Sequence, residues 1–114
     1  MKYECLKVDG KEYKLRFSFK TIELTQKELG KTIQKSILDL NKDSPELIKT
    51  LRTIIWGSML EFQNEITLED VNIIFNHLVD KGYILNDFIK LVYEILLVSG
   101  ILDKPKGKFR FRKH

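Results

Sequence analysis

Few residues in this sequence have the type and spacing that chemistry needs. The histidines are His77 and the terminal His114, and the cysteine is Cys5. Neither histidine has a second histidine or a cysteine four residues away, so the spacing that puts two metal ligands on one helix face is missing. A nucleophilic triad would rest on His77 alone, with no motif around any serine. His77 falls in a segment whose apolar residues are Val71, Ile74, Phe75 and Leu78, which turns it away from the core. Carboxylates such as Glu23, Glu28 and Glu94 sit where helix surfaces place them. No pair of them stands out as a general acid and base. The glycines form neither GxGxxG nor GxxxxGK[ST], so nothing supports a nucleotide site. The expectation is a protein that is not an enzyme, with no catalytic, cofactor-binding or metal-binding residues.

The remaining candidate is electrostatic. The formal net charge is +4, yet six of the twenty Lys and Arg residues follow Asp103 and none of the sixteen Asp and Glu residues does. The excess positive charge therefore lies in the last eleven residues, and the rest is slightly acidic. Phe109 and Phe111 alternate there with Arg110 and Arg112. That pattern has three readings: bases stacked on the rings with phosphates on the cations, a solvated end, or a segment that sticks to a protein partner. A helix–turn–helix reader of DNA is disfavoured, because no helix is rich in Arg, Lys, Asn and Gln together.

These residues need a scaffold. A chain of 114 residues suits one domain. At 43% hydrophobic it can build a core, and at 32% charged it should stay in solution. One cysteine excludes an internal disulfide and fits a reducing cytoplasm. Its place in an apparent strand predicts a small buried hydrophobe. The N-terminus lacks the apolar core of a signal peptide, and no apolar run is long enough to span a bilayer. The expected location is the cytoplasm.

Residues 3–17 read as a β-hairpin around Asp9-Gly10. A two-residue loop pairs Val8 with Lys11, Leu6 with Tyr13 and Glu4 with Leu15. Leu6, Val8, Tyr13, Leu15 and Phe17 then share one face, which must lie on something. Five helical segments follow, at about 19–29, 32–40, 45–63, 68–81 and 87–99. The first runs from an N-cap at Ser18 to a left-handed stop at Gly30 and spaces Phe19, Ile22, Gln26 and Leu29 helically. Ser44-Pro45-Glu46 marks the start of the third. Its stripe is Leu47, Leu51, Ile54, Ile55, Ser58, Met59 and Phe62, wide enough to be covered on two sides. Thr67 to Asp70 resembles a capping box, and Asn86 or Asp87 caps the last helix. The expected class is α+β, mainly α: a hairpin packed on four to five helices in a single domain, 1–103, with a basic tail, 104–114. Phe17 and Phe19 are expected to pin the hairpin to the first helix.

One stretch, LRFSFKTIELTQKELGK, carries a resemblance. A strand ending in Leu15-Arg16-Phe17 and Phe19, a helix with Ile22 and Leu29, then Gly30-Lys31, resembles the tail assembly chaperones of long-tailed bacteriophages and prophages of Gram-positive bacteria. Gly57-Ser58 in the central helix and the acidic helix start at Thr67–Asp70 are similar to that family too. The likeness runs over roughly residues 10–100. It implies a protein that binds the tape measure protein, keeps it soluble and assists the tail-tube protein to polymerise around it. Avidity along a long client and a hairpin edge with no third strand predict self-association, and the near-neutral body and short apolar runs make neither nucleic acid nor a membrane an expected partner. The likeness carries no site motif, and the basic end matches none of its patterns. Apolar grooves between helices suit a helical client. The candidate partner-binding residues are therefore Trp56, Met59, Phe62 and Phe75, with Phe109, Arg110, Phe111 and Arg112 in the tail. Two other functions fit the sequence: a small nucleic-acid-binding regulatory protein of a phage that uses the tail, and a minor virion or connector protein.

Overall fold

The computed structural model describes residues 2–103. Two antiparallel strands, β1 (Glu4–Val8) and β2 (Lys11–Leu15), are followed by α1 (Phe19–Leu29), α2 (Ile33–Ser36), a 3-10 turn (Ile37–Asp39), α3 (Leu47–Met59), α4 (Leu68–Asp80) and α5 (Leu85–Val98). The class is α+β, mainly α, with the hairpin packed on the helices.

The hairpin has the expected register, with Val8 opposite Lys11, Leu6 opposite Tyr13 and Glu4 opposite Leu15. Asp9 (φ 50°) and Gly10 (φ 83°) both adopt positive φ, as a two-residue turn matched to strand twist requires. Leu6, Val8, Leu15 and Phe17 are buried and Tyr13 is half-buried, so the apolar face does lie on the helices. Cys5 points the other way and is exposed, which corrects the expectation of a buried thiol. Strand alternation is the cause: Leu6 takes the inner face and leaves Cys5 the outer one.

No turn residues separate β2 from α1 because Ser18 caps the helix while still extended (φ −113°, ψ 172°). Its hydroxyl accepts from the Thr21 amide, and Thr21 Oγ1 accepts from the Ser18 amide at 2.8 Å. The helix ends at Gly30, whose φ of 77° is left-handed. Phe17 is buried, but Phe19 is 92% exposed. The capped turn swings the first helical residue outward and away from the face that strand alternation would have given it. The buried positions of α1 are Thr21, Thr25 and Leu29, a face rotated from the one expected.

The reason lies in α3, against which α1, α4, α5 and β2 all pack. Leu47, Leu51, Ile54, Ile55, Ser58 and Met59 are all buried. The expected double cover of this helix comes from the chain itself. Where α1 crosses, α3 presents Gly57, and a Cβ there would stand 1.7 Å from Thr25 Oγ1. Only a short side chain on α1 fits such an approach, hence threonine rather than a larger apolar residue.

The ends of α3 differ from the sequence reading. Ser44 organises a preceding turn: its hydroxyl accepts from the Glu46 amide (3.1 Å) and its carbonyl from the Leu47 amide (3.2 Å). The regular helix thus begins at Leu47 rather than at residue 45. It stops at Met59 rather than 63, and the Met59 carbonyl accepts from both the Gln63 amide (2.8 Å) and the Gln63 side-chain Nε2 (2.7 Å). The capping box of α4 is present, with Thr67 Oγ1 accepting from the Asp70 amide (3.0 Å) and Asp70 Oδ2 from the Thr67 amide (2.9 Å). Asp87 caps α5 from its third position by accepting from the Ile84 amide (2.9 Å), so that helix begins at Leu85, two residues early.

Lys31 and Asp39 form an ion pair at 2.7 Å, and Ser44 Oγ donates to the same carboxylate at 2.9 Å. The Lys31 ammonium holds Asp39 below its ordinary value of 3.8, and Asp39 raises Lys31 above its own. Stability from Asp39 is therefore full above the ordinary aspartate value and is lost as pH falls through the depressed one. The Lys31 contribution is lost only as pH rises past the usual lysine range. Replacing Asp39 by Asn should flatten the acid limb of the stability profile below about pH 4. An unchanged limb in denaturant titrations would assign acid sensitivity to other carboxylates.

Candidate interaction surface

Among the described residues, no three of His, Cys, Asp and Glu are grouped as a metal site would need. His77 is half-exposed, and its Nδ1 lies 3.3 Å from Asp9, which also meets Lys81 at 3.4 Å. These contacts tie the hairpin turn to α4 at the surface, where such pairs are worth at most about 1 kcal/mol. The Cys5 thiol is pushed above its usual range, chiefly by the Glu12 carboxylate beside it, with further contributions from burial and from the Glu12 charge. A thiol held protonated is a poor nucleophile. No helix among the described residues is long and apolar enough to cross a membrane.

The described partner-binding candidates separate into distinct environments. Met59 is fully buried and cannot meet a partner, which removes it from the set. It lies on the α3 stripe at the level where β2 and the following loop close over the helix. Trp56 is half-buried, and its indole Nε1 donates to the Ile66 carbonyl at 3.1 Å. It anchors the loop between α3 and α4, with part of the ring open. Phe75 is half-buried against Phe88 at 4.6 Å between ring centroids, and the Tyr83 ring also meets Phe88, tilted, at 5.6 Å. Phe62 is 37% exposed and meets Tyr3 at 5.7 Å. Lys14 Nζ lies 5.0 Å from the Tyr3 ring and 6.0 Å from the Phe62 ring, a weak cation–π contact. Phe109, Arg110, Phe111 and Arg112 lie outside the described residues.

Among these candidates, Phe62 lines a surface groove. The groove runs between β2, the α3–α4 loop and α4, and encloses about 490 Å³. Tyr13, Phe62, Ile66 and Ile73 supply apolar surface, while Lys11, Glu65 and Asp70 bring charge to its lining. Ile73 is 49% exposed although it sits in a well-packed helix. Tyr13, Ile66 and Ile73 were not among the candidates. One signal was available: Ile73 adjoins Ile74, so one of the two had to leave the buried stripe of α4.

Gln63 shapes one wall. Its Oε1 accepts from the Lys14 amide (3.0 Å) and its Nε2 donates to the Lys14 carbonyl (3.0 Å), as a neighbouring strand would. Arg16 continues the seam by donating its amide to the Ser58 carbonyl at 2.8 Å. Replacing Gln63 by Leu removes these bonds and orphans half-buried main-chain groups. The expected cost is about 1–3 kcal/mol in chemical denaturation. A loss within experimental error would mean that water replaces the amide without penalty.

Comparison of the chain with protein-family models, with curated proteins and with solved structures finds no match.

Proposed function

We propose that this protein is a non-catalytic binding protein of the phage tail assembly chaperone kind. It holds the tape measure protein soluble in the cytoplasm of the bacterial host while tail-tube subunits polymerise around it. The observation that carries the reading is the groove where Tyr13, Phe62, Ile66 and Ile73 meet Lys11, Glu65 and Asp70, lined about equally by apolar and polar surface. Such a groove suits one face of an amphipathic client helix, which offers apolar anchors every third or fourth residue. The likeness in residues 15–31 and at Gly57-Ser58 supports the same reading. Weak single contacts suffice for this task, since many copies along one client, or self-associated copies, convert them to avidity.

The test is co-expression with the tape measure protein, which this reading expects to be a long helical chain encoded nearby. The soluble fraction of that protein should rise severalfold. Ile73→Glu, which places a charge on an exposed position of the groove, should remove the gain while leaving the melting temperature of the chaperone unchanged. No gain with the unaltered protein would sink the chaperone reading. A gain that Ile73→Glu leaves intact would move the client to another face.

A further inference from the structure

Phe19 is the most exposed large apolar side chain among the described residues, at 92%. The fold holds it there, because the capping box between Ser18 and Thr21 fixes the direction of the first helical residue. Exposed charges border the ring on its own helix. Glu23 lies about 40° around α1 from Phe19, Lys27 about 80° and Lys20 about 100°, all to one side. Half-buried Ile22 and Gln26 flank the ring on the other side, and Glu28 falls on the opposite face.

The groove of Tyr13, Phe62, Ile66 and Ile73 is the inverse of this surface. It is a hollow of about 490 Å³, where α1 offers a projection. Two of its residues, Tyr13 and Phe62, are aromatic, and aromatic rings favour a further ring set at an angle. Its lining charges are one cation, Lys11, and two anions, Glu65 and Asp70. Beside Phe19 stand two cations and one anion. None of these groups is in an ion pair among the described residues. Lys11 Nζ lies 5.1 Å from the Tyr13 ring, and Lys14 lies over the Tyr3 and Phe62 rings outside the lining, so the β2 wall is cationic. The loop and α4 wall, with Glu65 and Asp70, is anionic. The α1 surface thus offers cations for one wall and a carboxylate for the other. No residue of α1 lines the groove, so the ring of one molecule does not fill its own.

We propose that Phe19 of one molecule seats in the groove of Tyr13, Phe62, Ile66 and Ile73 of a second, so that copies of this chain associate head to tail. The two surfaces are different, so each added copy presents a fresh one, and growth passes the dimer. One aromatic ring buries about 150–250 Å². A contact centred on one ring belongs with the weak interfaces, those under about 1,200 Å², and association grows with concentration. The inference does not rest on the chaperone reading. A client in the same groove would compete with the second copy.

Sedimentation equilibrium of the full chain from about 10 µM to 1 mM tests it. The mean mass of the unaltered chain should rise past that of a dimer. Phe19→Ser removes the projecting ring and Ile73→Glu blocks the groove, so each variant alone should stay monomeric. Both positions are exposed, so both variants should keep the melting temperature of the unaltered chain. Mixed in equal amounts, they should form a one-to-one dimer and nothing larger, because the first keeps its groove and the second keeps its Phe19. Adding Lys20→Glu and Lys27→Glu to the Ile73→Glu variant should weaken that dimer severalfold. An unaltered chain that stays monomeric throughout the range overturns the proposal. So does a mixture that yields no dimer. So does either variant alone associating as the unaltered chain does, which would assign the contact to another face, such as the edge of β1.

Discussion

Replacing Gly57 by Ala should destabilise this protein by about 3 kcal/mol or more, although alanine is the better helix former. Propensity alone predicts a gain of about 1 kcal/mol. Geometry opposes it. The added Cβ would stand 1.7 Å from Thr25 Oγ1, 2.9 Å from Thr25 Cβ and 3.1 Å from Phe17 Cε1. Rotating the threonine away would break its 2.7 Å bond to the Thr21 carbonyl and press on a fully buried neighbourhood. The two helices must therefore separate, which opens the contact on which α1 and the hairpin end both depend. The measurement is the denaturation midpoint. Thr25→Ala in the same chain should recover part of the loss, because Oγ1 is the worst overlap and Cβ the lesser one. A double-mutant cycle with no coupling would show that the contact between these helices is looser than described.

Phe17→Ala and Phe19→Ser should differ sharply despite lying two residues apart. Phe17 is 3% exposed and touches the crossing of α1 and α3, and its truncation should cost about 3–5 kcal/mol. Phe19 is 92% exposed, and its replacement should stay within about 0.5 kcal/mol. Thermal unfolding of the two variants checks both. Equal losses would mean that Phe19 packs after all, as strand alternation continued through Ser18 would have it. Because Phe19 is a large apolar ring in water, Phe19→Ser should also lower the tendency to aggregate without altering the fold.

This pair shows where sequence reasoning carries and where it stops. Features fixed by two or three neighbouring residues were legible. Asp9-Gly10 set the hairpin register, Ser18 and Gly30 bounded α1, and Thr67 with Asp70 opened α4. The α3 boundaries were not: the turn that Ser44 organises delays the start of the helix, which no single residue type announced. Gly57 was visible as a small residue. Its partner Thr25 was hidden, since which residues two helices bring together at a crossing is not written in either one alone. Met59 was misread for a related reason. An apolar stripe names what is buried and what is exposed in the same letters, and only the packing of β2 over α3 decides between them. The groove joins Tyr13 to Ile66 and Ile73, which lie far from it in sequence, so no local pattern beyond the Ile73-Ile74 pair announced it.

The staple from Arg16 to the Val98 carbonyl joins residues 82 apart. During synthesis at about 5–20 residues per second, that separation amounts to roughly 4–16 s. The hairpin is complete first and is marginal by itself. Leu6, Val8 and Leu15 thus spend that interval without the last helix that finishes their enclosure. A nascent chain of this protein carries an incompletely covered strand pair until α5 has been made. Faster translation of the segment from α3 to α5 would shorten that exposure.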